Sequence, residues 1–166
     1  MSSSITSLSK KTGIILRTRK LTIAAAESCT GGVFSSILTD IPGSSDYFIL
    51  GITAYSAYAK QKLLKVPRST LGKHSTVSRP VTILMARNAR KIAKADIGVG
   101  ITGYAGPGGG TKQDPKGTVY IAVATGSRTR VKKYRFKGTR IQIKRKVVEQ
   151  ALILVQRVLR VTSSTS

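Results

Sequence analysis

Ser28, Tyr55 and Lys60 are the residues of this chain whose types can do covalent chemistry together. A serine hydroxyl is a poor nucleophile until a base takes its proton. A lysine becomes such a base when partial burial lowers its pKa and leaves it neutral. A serine beside a lysine and a tyrosine can therefore run acyl transfer without histidine. The chain has one histidine, His74, so a Ser-His-Asp arrangement would have to use it. Its position in a loop favours a solvated or capping role. Other roles stay open for the first group. Ser28 can contact a phosphate or cap a helix, and Lys60 can be one of 29 cations on a solvated face.

The surrounding residues indicate which elements must hold these groups. Ala26-Glu27-Ser28-Cys29-Thr30-Gly31-Gly32 follows an apolar run and precedes Val33, Phe34, Ile37 and Leu38, which share a helical face. The expected strand is Leu21–Ala26 and the expected helix Gly31–Thr39. Ser28 and Thr30 then sit at a helix N-terminus, where free N–H groups and the helix dipole gather. Glu27 adjoins Ser28, and a structural hydrogen-bonding role suits it better than direct catalysis. A second junction joins a strand at Tyr47–Tyr55 to a short helix at Ala57–Leu64, with Lys60 on its first turns. In parallel sheets such junctions collect at the carboxyl edge, where ligands bind. Ser28, Tyr55 and Lys60 are thus expected to face one cleft.

A third candidate is the glycine-rich loop 103–117, which includes Gly103, Tyr104, Ala105, Gly106, Pro107 and Gly108. It suits a backbone nest for an anion or an oxyanion, or a flexible turn. It lacks the Gly-Lys-Ser/Thr ending of a P-loop and the spacing of a dinucleotide fingerprint. Arg140 and Arg145, near the start of the last helix, can reach a substrate phosphate or lie on a solvated face. No His/Cys cluster suits zinc, and the six acids are scattered, so no metal is expected.

The remaining elements complete an alternating pattern. A helix is expected over Ile5–Arg19, with Gly13 weakening it. Pro67–Val77 reads as loop. Ser78 and Pro80 open a helix running to about Ala93, with Val81, Leu84, Met85, Asn88 and Ile92 along one side. Strands follow at Ile97–Ile101, Thr118–Thr125 and Thr129–Lys137, the last with a basic side and a buried side. Thr139 caps a final helix with Val147, Val148, Ala151, Leu154, Val155 and Val158 as its core stripe. The pattern predicts an α/β fold, a three-layer α/β/α sandwich with a mixed, mostly parallel sheet. One domain is expected over 1–166, with a core at about 5–160 and a polar tail at 161–166.

Composition narrows the class. Apolar residues are 40% of the chain, too many for a disordered chain of this charge. A single cysteine, Cys29, excludes an internal disulfide and suits a reducing compartment. Met1–Ile5 has no charged region followed by an apolar one, and no uncharged apolar run approaches the ~18 residues of a membrane span. A soluble cytoplasmic protein without a membrane partner is expected. The net charge is +23, and twelve cations lie from Arg128 to Arg160 with Glu149 as the only acid among them. Such a balance raises affinity for any polyanion. Nucleic acid is nevertheless not the favoured partner, because no nucleic-acid motif or aromatic stacking platform accompanies the charge. Steering of a small phosphorylated substrate is preferred.

Taken together, the motifs resemble the CinA C-terminal domain family, which includes nicotinamide-nucleotide amidases. The resemblance spans roughly 5–160. It rests on the Ala26–Gly32 motif; on Gly43-Ser44-Ser45 with Phe48 and Gly51; on Thr53-Ala54-Tyr55-Ser56 with Ala59-Lys60; and on Gly103-x-Ala105-Gly106-Pro107-Gly108-Gly109 followed by Pro115-x-Gly117-Thr118-Val119. It implies hydrolysis of the carboxamide of nicotinamide mononucleotide to nicotinic acid mononucleotide and ammonia, without a cofactor; a homo-oligomer is expected. The implied roles are Ser28 as nucleophile, Lys60 as base and Tyr55 as proton relay. Substrate contacts are expected from Glu27, Thr30, Gly31, Gly103, Ala105, Gly106, Gly108, Arg140 and Arg145. In many members the module follows a nucleotide-processing domain. The chain departs from the family pattern at Ala57 (usually Asn), Tyr104 (usually Ile), Lys116 (usually Val) and Thr139 (usually Asp). The alternatives are an amidase or esterase for another phosphorylated substrate, or a polyanion-binding protein on the same fold.

Overall fold

Large side chains point to one face of the sheet and small ones to the other, and this asymmetry sets the architecture. The computed structural model describes residues 3–161. Five strands, β1 (Ile23–Glu27), β2 (Phe48–Thr53), β3 (Ile97–Gly103), β4 (Thr118–Ala124) and β5 (Thr129–Arg135), form one sheet in the order β2-β1-β3-β4-β5. β1 pairs in parallel with β2 and β3, whereas β4 is antiparallel to both β3 and β5. Four strands therefore share one direction, and the sheet is mixed, as expected.

On one face Ile23, Ala25, Ile97, Val99, Ile101, Ile121 and Val123 pack with α1 (Ser3–Thr18), α2 (Val33–Thr39) and α6 (Arg140–Val161). α6 buries Val147, Val148, Ala151, Leu154, Val155 and Val158, the stripe read from sequence. Its N-terminus is held by a reciprocal pair: Thr139 N–H donates to Gln142 Oε1 at 2.9 Å, and Gln142 N–H to Thr139 Oγ1 at 3.3 Å. On the other face α3 (Ala57–Lys62), α4 (Arg68–His74) and α5 (Arg79–Ala93) cover Ala24, Ala26, Ala122 and Ala124. There α5 lies almost on the backbone of β3. A Cβ at Gly98 would stand 2.0 Å from the Ala86 carbonyl oxygen. Only glycine permits that approach.

This close packing corrects the expected stripe of α5. The buried residues are Val81, Thr82, Met85, Ala86 and Ala89, while Ile92 is exposed. The helix turns its small residues, not its largest ones, onto the glycines of β3. Ser78 precedes α5 but makes no side-chain cap bond; its hydroxyl donates to the Ser75 carbonyl instead. α4 occupies most of the segment expected as loop. It has no buried residue, so it carries no apolar periodicity to reveal it. In β5 the basic side is interrupted: Val131 packs against Ala86, Ala122 and Ala124, while Tyr134 and Phe136 pack on the opposite face. Gly13 does not break α1; its bare Cα accommodates the Tyr47 ring. No helix among the described residues is long and apolar enough to cross a membrane. α6 runs through Val161, and 162–166 lie outside the described residues.

Candidate active site

The turn after β1 is built around a buried carboxylate. Glu27 is fully buried, and its oxygens accept from the N–H groups of Gly32, Phe34 and Ser35 and from the Ser35 hydroxyl, at 2.6–3.1 Å. It satisfies the donors that the start of α2 leaves unpaired and sits at the positive end of the helix dipole. Gly31 and Gly32 take φ of 62° and 91°, the left-handed region open to glycine, and so let the chain double back. Gly31 N–H donates to the Ser28 carbonyl at 3.0 Å. Ser28 is thereby held at the carboxyl end of β1, its own N–H bonded to Ile101 of β3.

Lys60 enters from the second junction. Ser56 caps α3 by accepting from Ala59 N–H at 3.0 Å, and that fixes the first turn from which Lys60 projects inward. Lys60 is 1% exposed. Its Nζ lies 2.9 Å from Ser28 Oγ, 2.8 Å from the Ala54 carbonyl oxygen and 3.4 Å from that of Tyr55. No carboxylate is among these neighbours. Burial without a counter-charge penalises the ammonium and lowers its pKa to about 8, against a small upward pull from Cys29. An amine with that pKa is partly neutral near physiological pH and can accept a proton from the hydroxyl beside it. Cys29 offers no rival nucleophile, since burial pushes its thiol up to about 12.

Ser28 and Lys60 form the floor of a cavity of about 230 Å³. Gly103, Ala105, Gly106 and Gly108 line one wall, and Tyr55 and Arg140 stand at the rim. Arg140 donates to the Gly106 carbonyl at 2.6 Å and to the Tyr55 hydroxyl, tying α6, the glycine-rich loop and the β2–α3 junction across the mouth. Tyr55 is 58% exposed. Its hydroxyl accepts from Arg140, which leaves its own proton free to be donated into the cavity.

The structure thus brings together Ser28, Tyr55, Lys60, Gly103, Ala105, Gly106, Gly108 and Arg140. It separates four residues expected as substrate contacts. Glu27 is spent on α2 and turned from the cavity. Thr30 is fully buried beneath the turn, with no partner for its Oγ1 among the described residues. Gly31 closes the turn without lining the cavity. Arg145 lines a different cavity with Val33, Ile37 and Ile141. It lies five residues beyond Arg140, which turns it about 140° around the helix.

Thr76, Val77 and Tyr104 also line the Ser28 cavity. Thr76 is positioned by the Thr102 hydroxyl, which donates to its carbonyl at 3.0 Å. The sequence signal for it was the helix start at Ser78–Pro80, since a helix running back along β3 begins at the carboxyl edge of the sheet. His74 ends α4, exposed, and does not line the cavity.

The family model that matches this chain is the CinA C-terminal domain, over residues 5–159. A CinA-like protein of Syntrophus aciditrophicus is 47% identical over 146 residues, covering 87% of this chain and 35% of that protein. A CinA-like protein of Syntrophobacter fumaroxidans is 47% identical over 152 residues, covering 92% of this chain and 36% of that protein. The chain thus spans about a third of the length of these curated relatives. Among solved structures, the competence/damage inducible protein CihA of Agrobacterium tumefaciens superposes with a TM-score of 0.92 at 31% identity, covering 96% of this chain and 98% of that one. A CinA superfamily protein of Escherichia coli gives 0.90 at 30% identity, over 95% and 92%. The chain belongs to the CinA C-terminal domain family.

Proposed function

We propose that this family member is an amidase that hydrolyses the carboxamide of nicotinamide mononucleotide, giving nicotinic acid mononucleotide and ammonia. The observation that carries the reading is the 2.9 Å contact between Lys60 Nζ and Ser28 Oγ in a buried site without a competing carboxylate. Neutral Lys60 takes the Ser28 proton as Oγ bonds to the carboxamide carbon. The resulting ammonium returns a proton to the departing nitrogen, the C–N bond breaks, and ammonia leaves an ester on Ser28. Water then attacks the ester, gives its proton to Lys60, and the freed Ser28 oxygen recovers it. Tyr55 relays protons at the rim.

The cavity volume of about 230 Å³ suits the pyridine carboxamide, with the ribose phosphate outside it. Arg140 stands where that phosphate would emerge, and a guanidinium is well matched to phosphate oxygens. Tyr104 supplies an aromatic wall on the same cavity, and this departure from the family pattern is the feature that bears most on the choice of phosphorylated substrate. Ammonia release from nicotinamide mononucleotide, compared between the wild type and Ser28→Ala, tests the reading. Release by the wild type alone is expected. Release that persists in Ser28→Ala would reject the nucleophile, and none in either would reject the substrate.

A further inference from the structure

A second concentration of polar groups lies at the opposite end of the sheet. Gly103 of β3 pairs with Val119 near Ser28, while Gly98 pairs with Ala124 at the far end, five residues or about 17 Å along the strand. The β4–β5 turn follows Ala124. A recess of about 230 Å³ opens there, between that turn and the last turns of α5. Arg87, Arg90, Lys91 and Arg128 converge on it and no acid lines it. Arg87 Nε donates to Thr129 Oγ1 at 2.9 Å. Arg128 Nε is shielded from solvent and has no hydrogen-bond partner among the described residues. A buried guanidinium N–H without an acceptor is costly, and so is the mutual repulsion of clustered cations. Phosphate oxygens would relieve both.

The cations continue beyond the recess. Arg130 and Lys132 form a short exposed row on β5, an edge strand with an unpaired side, and stand on the sheet face opposite the recess, whereas Arg135 pairs with Thr118 at the Ser28 end. Lys133 is excluded from this row because Asp114 holds it at 2.6 Å. A small phosphate compound would need the recess alone, whereas cations on both faces of the same edge strand fit a polymer of phosphates that passes around that edge. Steering of a substrate toward Ser28 does not account for charge placed at the far end. Tyr134 and Phe136 are packed against the core, so β5 offers contacts to backbone phosphates and not to bases. We propose that the recess and the outer edge of β5 form a second site, which binds the phosphodiester backbone of a nucleic-acid strand independently of its sequence.

The test is fluorescence anisotropy of a labelled oligothymidylate, titrated with the full chain at salt from about 50 to about 200 mM. The recess variant is Arg87→Gln/Lys91→Gln, both exposed positions, and Arg128→Gln is an independent second variant. Lys11→Gln/Lys65→Gln removes the same charge elsewhere on the surface. The recess variant should bind about tenfold more weakly near 150 mM salt, and its log–log salt slope should fall by about 1.4, the contribution of two contacts at ~0.7 each. The control pair should stay within about twofold of wild type, and Ser28→Ala should bind as wild type does. Equal losses in recess and control variants would overturn the proposal. So would no binding by wild type near 150 mM salt, or displacement by nicotinamide mononucleotide, which would put the strand at the Ser28 cavity. Full displacement by low-millimolar inorganic phosphate would assign the recess to a small anion instead.

Discussion

Lys60 and Lys91 stand at opposite ends of one sheet and have the same side chain, yet they meet opposite surroundings. Lys60 is buried with no carboxylate against it, and the loss of water lowers its pKa to about 8. Lys91 is exposed among arginines. One end of the molecule lowers the pKa of a lysine by desolvation until it can serve as a base, and the other gathers the exposed Arg87 and Lys91 around the shielded Nε of Arg128. Clustered positive charge is therefore not the basis of the proposed chemistry. The reactive lysine is the one withdrawn from the cationic surface.

Substitutions that exchange these properties test the contrast, beginning with the strongest. Ser28→Ala should lower kcat/KM by about 10³ or more while leaving the melting temperature near wild type, since it removes the nucleophile and little packing. Lys60→Arg should cost about 10²–10⁴ in kcat, because a guanidinium holds charge there but cannot give up its proton at usable pH. In wild type the neutral form of Lys60 grows as pH rises through about 8, so kcat/KM should climb with pH and level off above that value. A flat profile, or an active Lys60→Arg variant, would make Lys60 an electrostatic group like those at the far end. Arg140→Lys should act mainly through binding, raising KM about tenfold as the guanidinium contacts to phosphate are lost, with a smaller fall in kcat because the Tyr55 hydroxyl loses its donor. Glu27→Gln should have the smallest effect on chemistry and appear mainly in stability. The loss should be about 1–2 kcal/mol, read as a melting temperature lower by several degrees, because the amide puts an N–H group where α2 presents donors.

Much of the Ser28 end was legible in the sequence, because its pieces are local. The Ala26–Gly32 motif encodes a strand, a tight turn and a helix start within seven residues, and Ser56 sets Lys60 on a first helical turn. What failed there failed for reasons of rotation and satisfaction. Arg145 is close to Arg140 in sequence but faces another side of α6. Glu27 and Thr30 belong to the motif, yet helix donors claim the first and burial hides the second. At the far end the basic strand was legible and the recess was not. Arg87 and Arg128 are brought together only by the packing of α5 on the β4–β5 turn, and no spacing in the sequence encodes that. α4 was missed because an exposed helix of seven residues leaves no hydrophobic period.

The bare Cα of Gly98 beneath the Ala86 carbonyl has a mechanical consequence. α5 begins beside Thr76 and Val77 of the Ser28 cavity and ends among the arginines of the recess. At Gly98 and Gly100 its backbone rests directly on β3, so sliding or rolling there would drive main chain into main chain. The helix is expected to act as a fixed strut between the two ends, so that occupancy of one leaves the other unchanged. Perturbations at the Ser28 cavity and at the far recess should then combine additively in free energy, as for sites without a shared two-state element.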